Sequence, residues 1–348
     1  MKNLFRIFLP LIAIIIFVNL YFIHSDIIKT ADNYPIWMKD SSGNRTDQTS
    51  GLFFTGEKDG KKMFISCDDI GKINRISVDE SKNPPQFEFT EIKFSEQVST
   101  LFGKFKKRDM EDIYFDSLNN IILLAIEGHE YSSYDPEIYR KKEGIYELTF
   151  NNDILSFDSV LSIKRLKMPE AVYAHTYDNI GFEGFSETEN YFFLGLENYQ
   201  TKTNDFSDST IIYIVNRKTN DLAKTIGTSD LKISSVCGLY SDGDRSLFGI
   251  DRNRRSMFHI LFDNEFNVVS CLIKPLDLST PGHPEINDVL GFAPESVTFD
   301  KENNIYVSID PWKEIYKPDI AQRKRLSQEE LDNFYSFVPI MYKFKNEF

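Results

Sequence analysis

Residues 111–127 read EDIYFDSLNNIILLAIE: an apolar run that opens on an acid, a turn at Asn119-Asn120, and a second apolar run that closes on an acid. Turn-forming residues between two β-rich runs mark a hairpin. Directly opposed residues of an antiparallel pair have position numbers that average to the turn centre. Glu111 and Glu127 centre on Asn119 and are therefore expected to be cross-strand neighbours.

Four further segments repeat this shape. They open at Ser50 (SGLFF), Glu183 (EGFSE), Cys237 (CGLYS) and Glu295 (ESVTF), and close at Asp68, Glu197, Asp251 and Asp310. Their centres fall on Lys58-Asp59-Gly60, Glu189-Asn190, Gly243-Asp244 and Glu302-Asn303, all turn formers. Third strands are expected at 72–78, 144–150, 211–217, 257–263 and 340–345, and fourth strands at 87–94, 154–163, 222–226 and 268–274. The last unit has no fourth strand of its own, and the extended stretch Tyr34–Lys39 could supply it. Four-stranded units that open 54 to 72 residues apart predict an all-β, five-bladed β-propeller closed by an N-terminal strand. A sixth blade hidden in a long connection is the alternative.

The composition agrees with one large repetitive fold. The chain has 348 residues, 41% hydrophobic and 14% aromatic, which supports a sizeable core and excludes global disorder. A net charge of −13 lacks the basic footprint of a nucleic-acid binder. Cys67, Cys237 and Cys271 stand far apart with no CxxC, which favours buried thiols over a zinc site or a disulfide scaffold.

Lys2 and Arg6 precede an apolar run over residues 7–23 that carries no acid or base. Counted from Leu4 it has about 20 positions, near the length of a bilayer crossing. Basic residues before the run and Asp26 after it predict a cytoplasmic N-terminus and an exported body. No lipid-attachment Cys follows and no clean small-x-small cleavage motif precedes Ser25, so an uncleaved signal anchor is preferred over a cleaved signal peptide. The expected organisation is a transmembrane segment at 1–30 and a propeller at 31–348. The body would sit on the periplasmic side of the cell membrane, or be secreted if the signal is cleaved.

In a propeller the first strand of each blade lines the axial channel, so the opening and closing residues gather at one mouth. Glu111, Glu183 and Glu295 are expected as an inner ring, with Asp68, Glu127, Glu197, Asp251 and Asp310 just outside. Asp69 and Asp112, next in sequence, should point away by strand alternation. That many carboxylates at one opening repel one another unless protons or a hard cation compensate. Ca²⁺, an oxygen-seeking ion abundant outside the cytoplasm, is the preferred cofactor. The other reading is that the acids cap strands or pair with bases such as Arg252 and Arg254.

The longest connections reach the same mouth, where binding chemistry commonly sits. They carry His129, His175 and His283, with basic clusters at Lys104–Arg108, Arg140–Lys142 and Arg252–Arg255. These bases could hold a small anionic ligand, or an envelope protein could dock there. Ser327 and Glu330 form a capping-box pattern that predicts a short helix over 327–337. No GxSxG elbow, HExxH, Walker loop or GxGxxG appears, so no catalytic residue is assigned.

The series SGL…ISCDD…INRI, MEDIYFD…AIEGHE, NIGFEGFSE…GLEN, VCGLYSD…GIDRNRR and PESVTFD…NIYVSIDPW resembles the SdiA-regulated family of bacterial membrane-anchored propellers over residues 48–346. The most specific piece, NIGFEG from Asn179 to Gly184, is similar to a signature shared with phytase-like esterase propellers. Departures are Asp112 where Gly is usual, Cys237 in place of a polar opener, and an insert after Trp312. The resemblance implies a calcium-associated propeller without an established activity. Three functions are therefore carried forward: a calcium-bearing binding module, a calcium-dependent phosphoesterase or esterase, and an envelope interaction scaffold.

Overall fold

The computed structural model describes residues 27–130, 136–202, 205–287 and 289–348. The apolar run at 7–23 lies outside them; among the described residues no helix is long and apolar enough to cross a membrane.

The strands form a five-bladed propeller. The first blade runs outward through Thr49–Lys58, Lys61–Asp68, Ile73–Asp79 and Gln86–Glu91. The second uses Asp109–Asp116, Ile121–Glu127, Gly144–Phe150 and Ser159–Arg165. The third uses Phe182–Glu187, Tyr191–Leu196, Ile211–Asn216 and Leu222–Gly227. The fourth uses Gly238–Ser241, Ser246–Asp251, Ser256–Phe262 and Val268–Pro275. The fifth begins as two short pieces, Phe292–Pro294 and Thr298–Phe299, followed by Asn304–Pro311 and Ile340–Lys345. Its outermost strand is Ile36–Trp37, which pairs antiparallel with Met341 and Ile340 and so closes the ring as expected. First strands of successive blades touch all the way round, including the fifth against the first. Four complete blades and this closed fifth leave no sixth among the described residues.

Strand alternation explains the core. Every inner strand is covered on both faces, so its even and odd residues enter different clusters. Ile122, Leu124 and Ile126 pack toward the first blade, whereas Leu123 and Ala125 pack toward the third. Five such clusters fill the five gaps between neighbouring blades.

Two fourth strands differ from expectation. The run at 154–163 becomes a strand only at Ser159–Arg165, because Asn151 and Asp153 bind local backbone N–H groups and hold a turn. Ile154, Leu155 and Phe157 still pack in the core there. The first blade's outer strand ends at Glu91, and Lys93–Phe94 crosses to pair in parallel with Ser159 and Val160 of the second. The helix predicted near the end is Gln328–Tyr335, and both capping bonds between Ser327 and Glu330 are present. Its Phe334 packs edge-on to Trp37, 5.1 Å between ring centres, and so covers the closing strand.

Candidate functional site at the channel mouth

The pairing arithmetic needs one correction, and it shapes the site. In every blade but the fourth, where the unshifted register keeps Cys237 opposite Asp251, the closing acid does not face the opener. Asp68 faces Thr49, Glu127 faces Asp109, and Asp310 faces Ala293. In the first three blades the opener is the extra residue of a register shift: Ser50 between Thr49 and Gly51, Glu111 between Met110 and Asp112, Glu183 between Phe182 and Gly184. In the fifth, Glu295 sits where the first strand is interrupted. A bulge leaves its residue out of the ladder and re-aims the side chain. Here Glu111 and Glu183 are turned into the axial well, where Glu295 joins them, while residues one or two positions earlier take their places beside the closing acids.

The well is a cavity of about 460 Å³. Nine carboxylates line it: Asp69, Asp109, Glu111, Glu127, Glu183, Glu197, Glu295, Asp310 and, at the rim, Glu314. Lys107, Arg252 and Lys313 supply the positive charge, and Gln48, Asn179 and Trp312 complete the rim. Six of the eight predicted acids are thus brought together. Asp68 is not among the lining residues; its carboxylate accepts from the Lys72 N–H at 2.7 Å and caps a turn. Asp251 accepts from the Ser234 N–H and hydroxyl at 2.8 and 2.9 Å and is likewise spent locally. Asp69 enters the well instead, against the alternation argument, because the strand ends at Asp68. Asp112 does turn away. It lies below the mouth and accepts from the N–H groups of Phe185 and Leu239 in the next two blades.

The candidate bases divide in the same way. Arg252 stands inside the acid ring, with Nη1 2.6 Å from Glu295 Oε1 and 3.6 Å from Glu183 Oε2, and Nη2 against Glu197. Arg254 points outward, half-exposed. His129 Nδ1 lies 3.0 Å from Asp109 Oδ2 at the edge of the well. His175 packs against Tyr199, and His283 pairs with Glu330 of the last helix, so neither joins the lining. Sequence reasoning alone does not single out Lys107 or Asp109. Lys107 contacts Asp109 directly and lies 3.4 Å from Asp69. The register shift is the signal that would have found Asp109, since it makes that residue the partner of Glu127.

Burial and mutual repulsion dominate the electrostatics. Desolvation, reinforced by Asp109 and Asp69, pushes Glu111 far above the carboxylate range. Desolvation does the same to Glu127 and Asp310. Glu295 is pushed up by desolvation to about 8 although Arg252 opposes the shift, and Asp69 to about 6. Glu111, 7% exposed, has no hydrogen-bond or ion-pair partner among the described residues. Asp310 Oδ1 is buried and likewise unpartnered.

Two groups have ligand atoms within 4.8 Å of one another: Asp69, Asp109 and Glu111, and Glu183, Glu197 and Cys237. The first is an all-oxygen set, the donor chemistry of a hard cation. The second contains a thiol and is already bridged by Arg252, so it fits such an ion less well.

No protein family matches this chain, and no curated protein does. Solved structures resemble it only distantly. A luciferin-regenerating enzyme is 13% identical, with a TM-score of 0.42 over 79% of this chain and 73% of that one. The PQQ-bound aldose sugar dehydrogenase of Streptomyces coelicolor is 8% identical, with a TM-score of 0.43 over 91% and 97%. A GH43 β-1,3-galactosidase is 7% identical, with a TM-score of 0.47 over 88% and 58%. At these scores none of them bears on the chemistry of this chain, and the blade count rests on the strand pairing.

Proposed function

We propose that this chain is a membrane-anchored, extracytoplasmic propeller of the SdiA-regulated kind that holds Ca²⁺ at the acidic mouth of its channel and presents it to a small ligand. The observation that carries this reading is Glu111: a buried carboxylate aimed into a ring of acids, with no partner among the described residues. A carboxylate so placed is costly unless a proton or a cation joins it. Asp69, Asp109 and Glu111 would be the first ligands, with Glu127 and Asp310 in reach of the same cavity. The ion would compete with Lys107 for Asp109. The apolar run at 7–23, with basic residues before it, supports the anchor.

The test is a thermal melt of the full chain in detergent with Ca²⁺ and then with EGTA. A stabilisation by Ca²⁺ that EGTA reverses, and that Glu111→Gln abolishes, is expected. No shift in the parent, together with no sensitised Tb³⁺ luminescence, would overturn the calcium reading.

A further inference from the structure

The chain has two tryptophans, and they are treated oppositely. Trp37 packs against Phe334 beneath the last helix. Trp312 lies on the rim of the acidic well with 55% of its surface exposed. Its backbone is pinned: the Trp312 N–H donates to Gly291 O at 3.3 Å, and its carbonyl accepts from Tyr316 N–H at 2.7 Å. Its neighbour Lys313 donates to Gln48 Oε1 at 2.6 Å and ties this corner to the first blade. Among the described residues no aromatic ring or cation covers the indole; only its N–H is used, by Glu314. A large apolar face is therefore held in a fixed place above a polar cavity, the pattern of a ligand site.

The polar lining narrows the ligand. Lys107, Arg252 and the amides of Gln48 and Asn179 donate, and the carboxylates accept. A hydroxyl both donates and accepts. An ammonium group only donates, and a phosphate dianion only accepts. Nine acids against three bases also disfavour a free anion. We propose that the mouth binds a neutral sugar, its C–H face on Trp312 and its hydroxyls directed into the well toward Glu111 and the neighbouring donors. The inference rests on the mouth being the binding site of the proposed function and specifies its ligand class. It replaces the small anion expected from the loop bases.

Saturation-transfer NMR on the full chain in detergent, with and without Ca²⁺, tests it. The probes are the methyl glycosides of glucose, galactose and mannose, then myo-inositol, with cadaverine as an amine control. At least one glycoside is expected to bind, and Trp312→Ala should weaken it by about tenfold, the loss of one aromatic contact. Because Trp312 is exposed, the variant should keep its melting temperature and the shift that Ca²⁺ gives it. If no glycoside binds, if only cadaverine does, or if Trp312→Ala binds as the parent does, the proposal fails. A melting temperature that Ca²⁺ still raises and EGTA lowers, beside that failure, leaves the calcium reading standing. A glycoside that binds without any Ca²⁺ effect supports the sugar proposal and counts against the ion.

Discussion

Arg252 of the fourth blade reaches Glu295 of the fifth, Nη1 to Oε1 at 2.6 Å, and in doing so sets one guanidinium among three acids of the mouth. Removing one member of a buried ion pair leaves the others charged and unpaired, which costs about 3–5 kcal/mol. Arg252→Ala should therefore melt well below the parent without Ca²⁺. Since Glu183, Glu197 and Glu295 are then free to meet a cation, Ca²⁺ should stabilise the variant more than it does the parent. Paired melting curves decide this, and an equal Ca²⁺ shift in the two proteins would count against it.

In the first and fourth blades the first strands pass so close at the axis that the residue after the opener meets its neighbour's backbone. A Cβ on Gly51 would lie 2.9 Å from Asp112 Cα, and one on Gly238 would lie 2.4 Å from the Glu295 carbonyl oxygen. Asp112 occupies the equivalent place in the second blade, and its carboxylate accepts from Phe185 N–H at 2.8 Å and Leu239 N–H at 3.4 Å. Burial pushes this acid far above the usual carboxylate range despite those bonds. An amide oxygen can accept the same bonds, so Asp112→Asn should change the melting temperature little. Asp112→Ala strands two buried donors and should cost about 1–3 kcal/mol in chemical denaturation.

The fold was readable because it is written five times. Each hairpin alone is weak, but the common spacing and the acid at every second-strand end fix blade number, strand order and closure by residues 34–39. The site was readable only to the level of which mouth. Alternation assumes an unbroken ladder, and the shifts at Ser50, Glu111 and Glu183 break it at the positions that matter. A bulge depends on how neighbouring blades crowd the axis, which one strand's sequence does not state. Asp69 was misplaced because its strand ends at Asp68, and the limit set by the bulges hid Asp109. It also hid Lys107, which stood in the sequence as one base among five residues of a loop cluster. Trp312 was legible as the start of an insert; that its ring stays bare follows only from the packing around Tyr316 and Gly291.

One part-buried clasp contributes to closure of the ring. Glu80 Oε1 accepts from Tyr34 OH at 2.8 Å, Tyr306 OH at 2.9 Å and Lys343 Nζ at 2.8 Å, joining the first blade to the N-terminal segment and the fifth blade. The strand it secures, Ile36–Trp37, has only two residues in the ladder. Glu80→Ala should lower stability by about 1–3 kcal/mol, the cost of leaving such donors unmet. Hydrogen exchange at Met38, which donates to Pro339 O, should accelerate more than at Ile65 in the first blade. Uniform acceleration across the chain would show that Glu80 is not a local clasp.

Glu187 gives a pH dependence independent of the mouth. It ends the first strand of the third blade, is 3% exposed, and has Oε2 3.1 Å from Arg217 Nη1. Arg217 is also committed to Asp116 at 2.8 Å and to the Thr188 carbonyl at 2.8 Å. Burial therefore prevails over Arg217 and lifts the Glu187 carboxyl from 4.5 to about 8. The folded protein keeps this proton up to about pH 8, whereas the unfolded chain releases it near the ordinary glutamate value of about 4.3. Between those limits the folded state binds more protons, so the group's stabilisation is complete at the acid end and is lost as pH rises toward 8. Glu187→Gln cannot titrate. Its melting temperature should match the parent's near pH 5 and exceed it above pH 8, producing a flatter profile in EGTA. If the variant is instead the less stable protein, and increasingly so toward alkaline pH, the ion pair with Arg217 outweighs burial and the carboxyl titrates below, not above, the ordinary glutamate range.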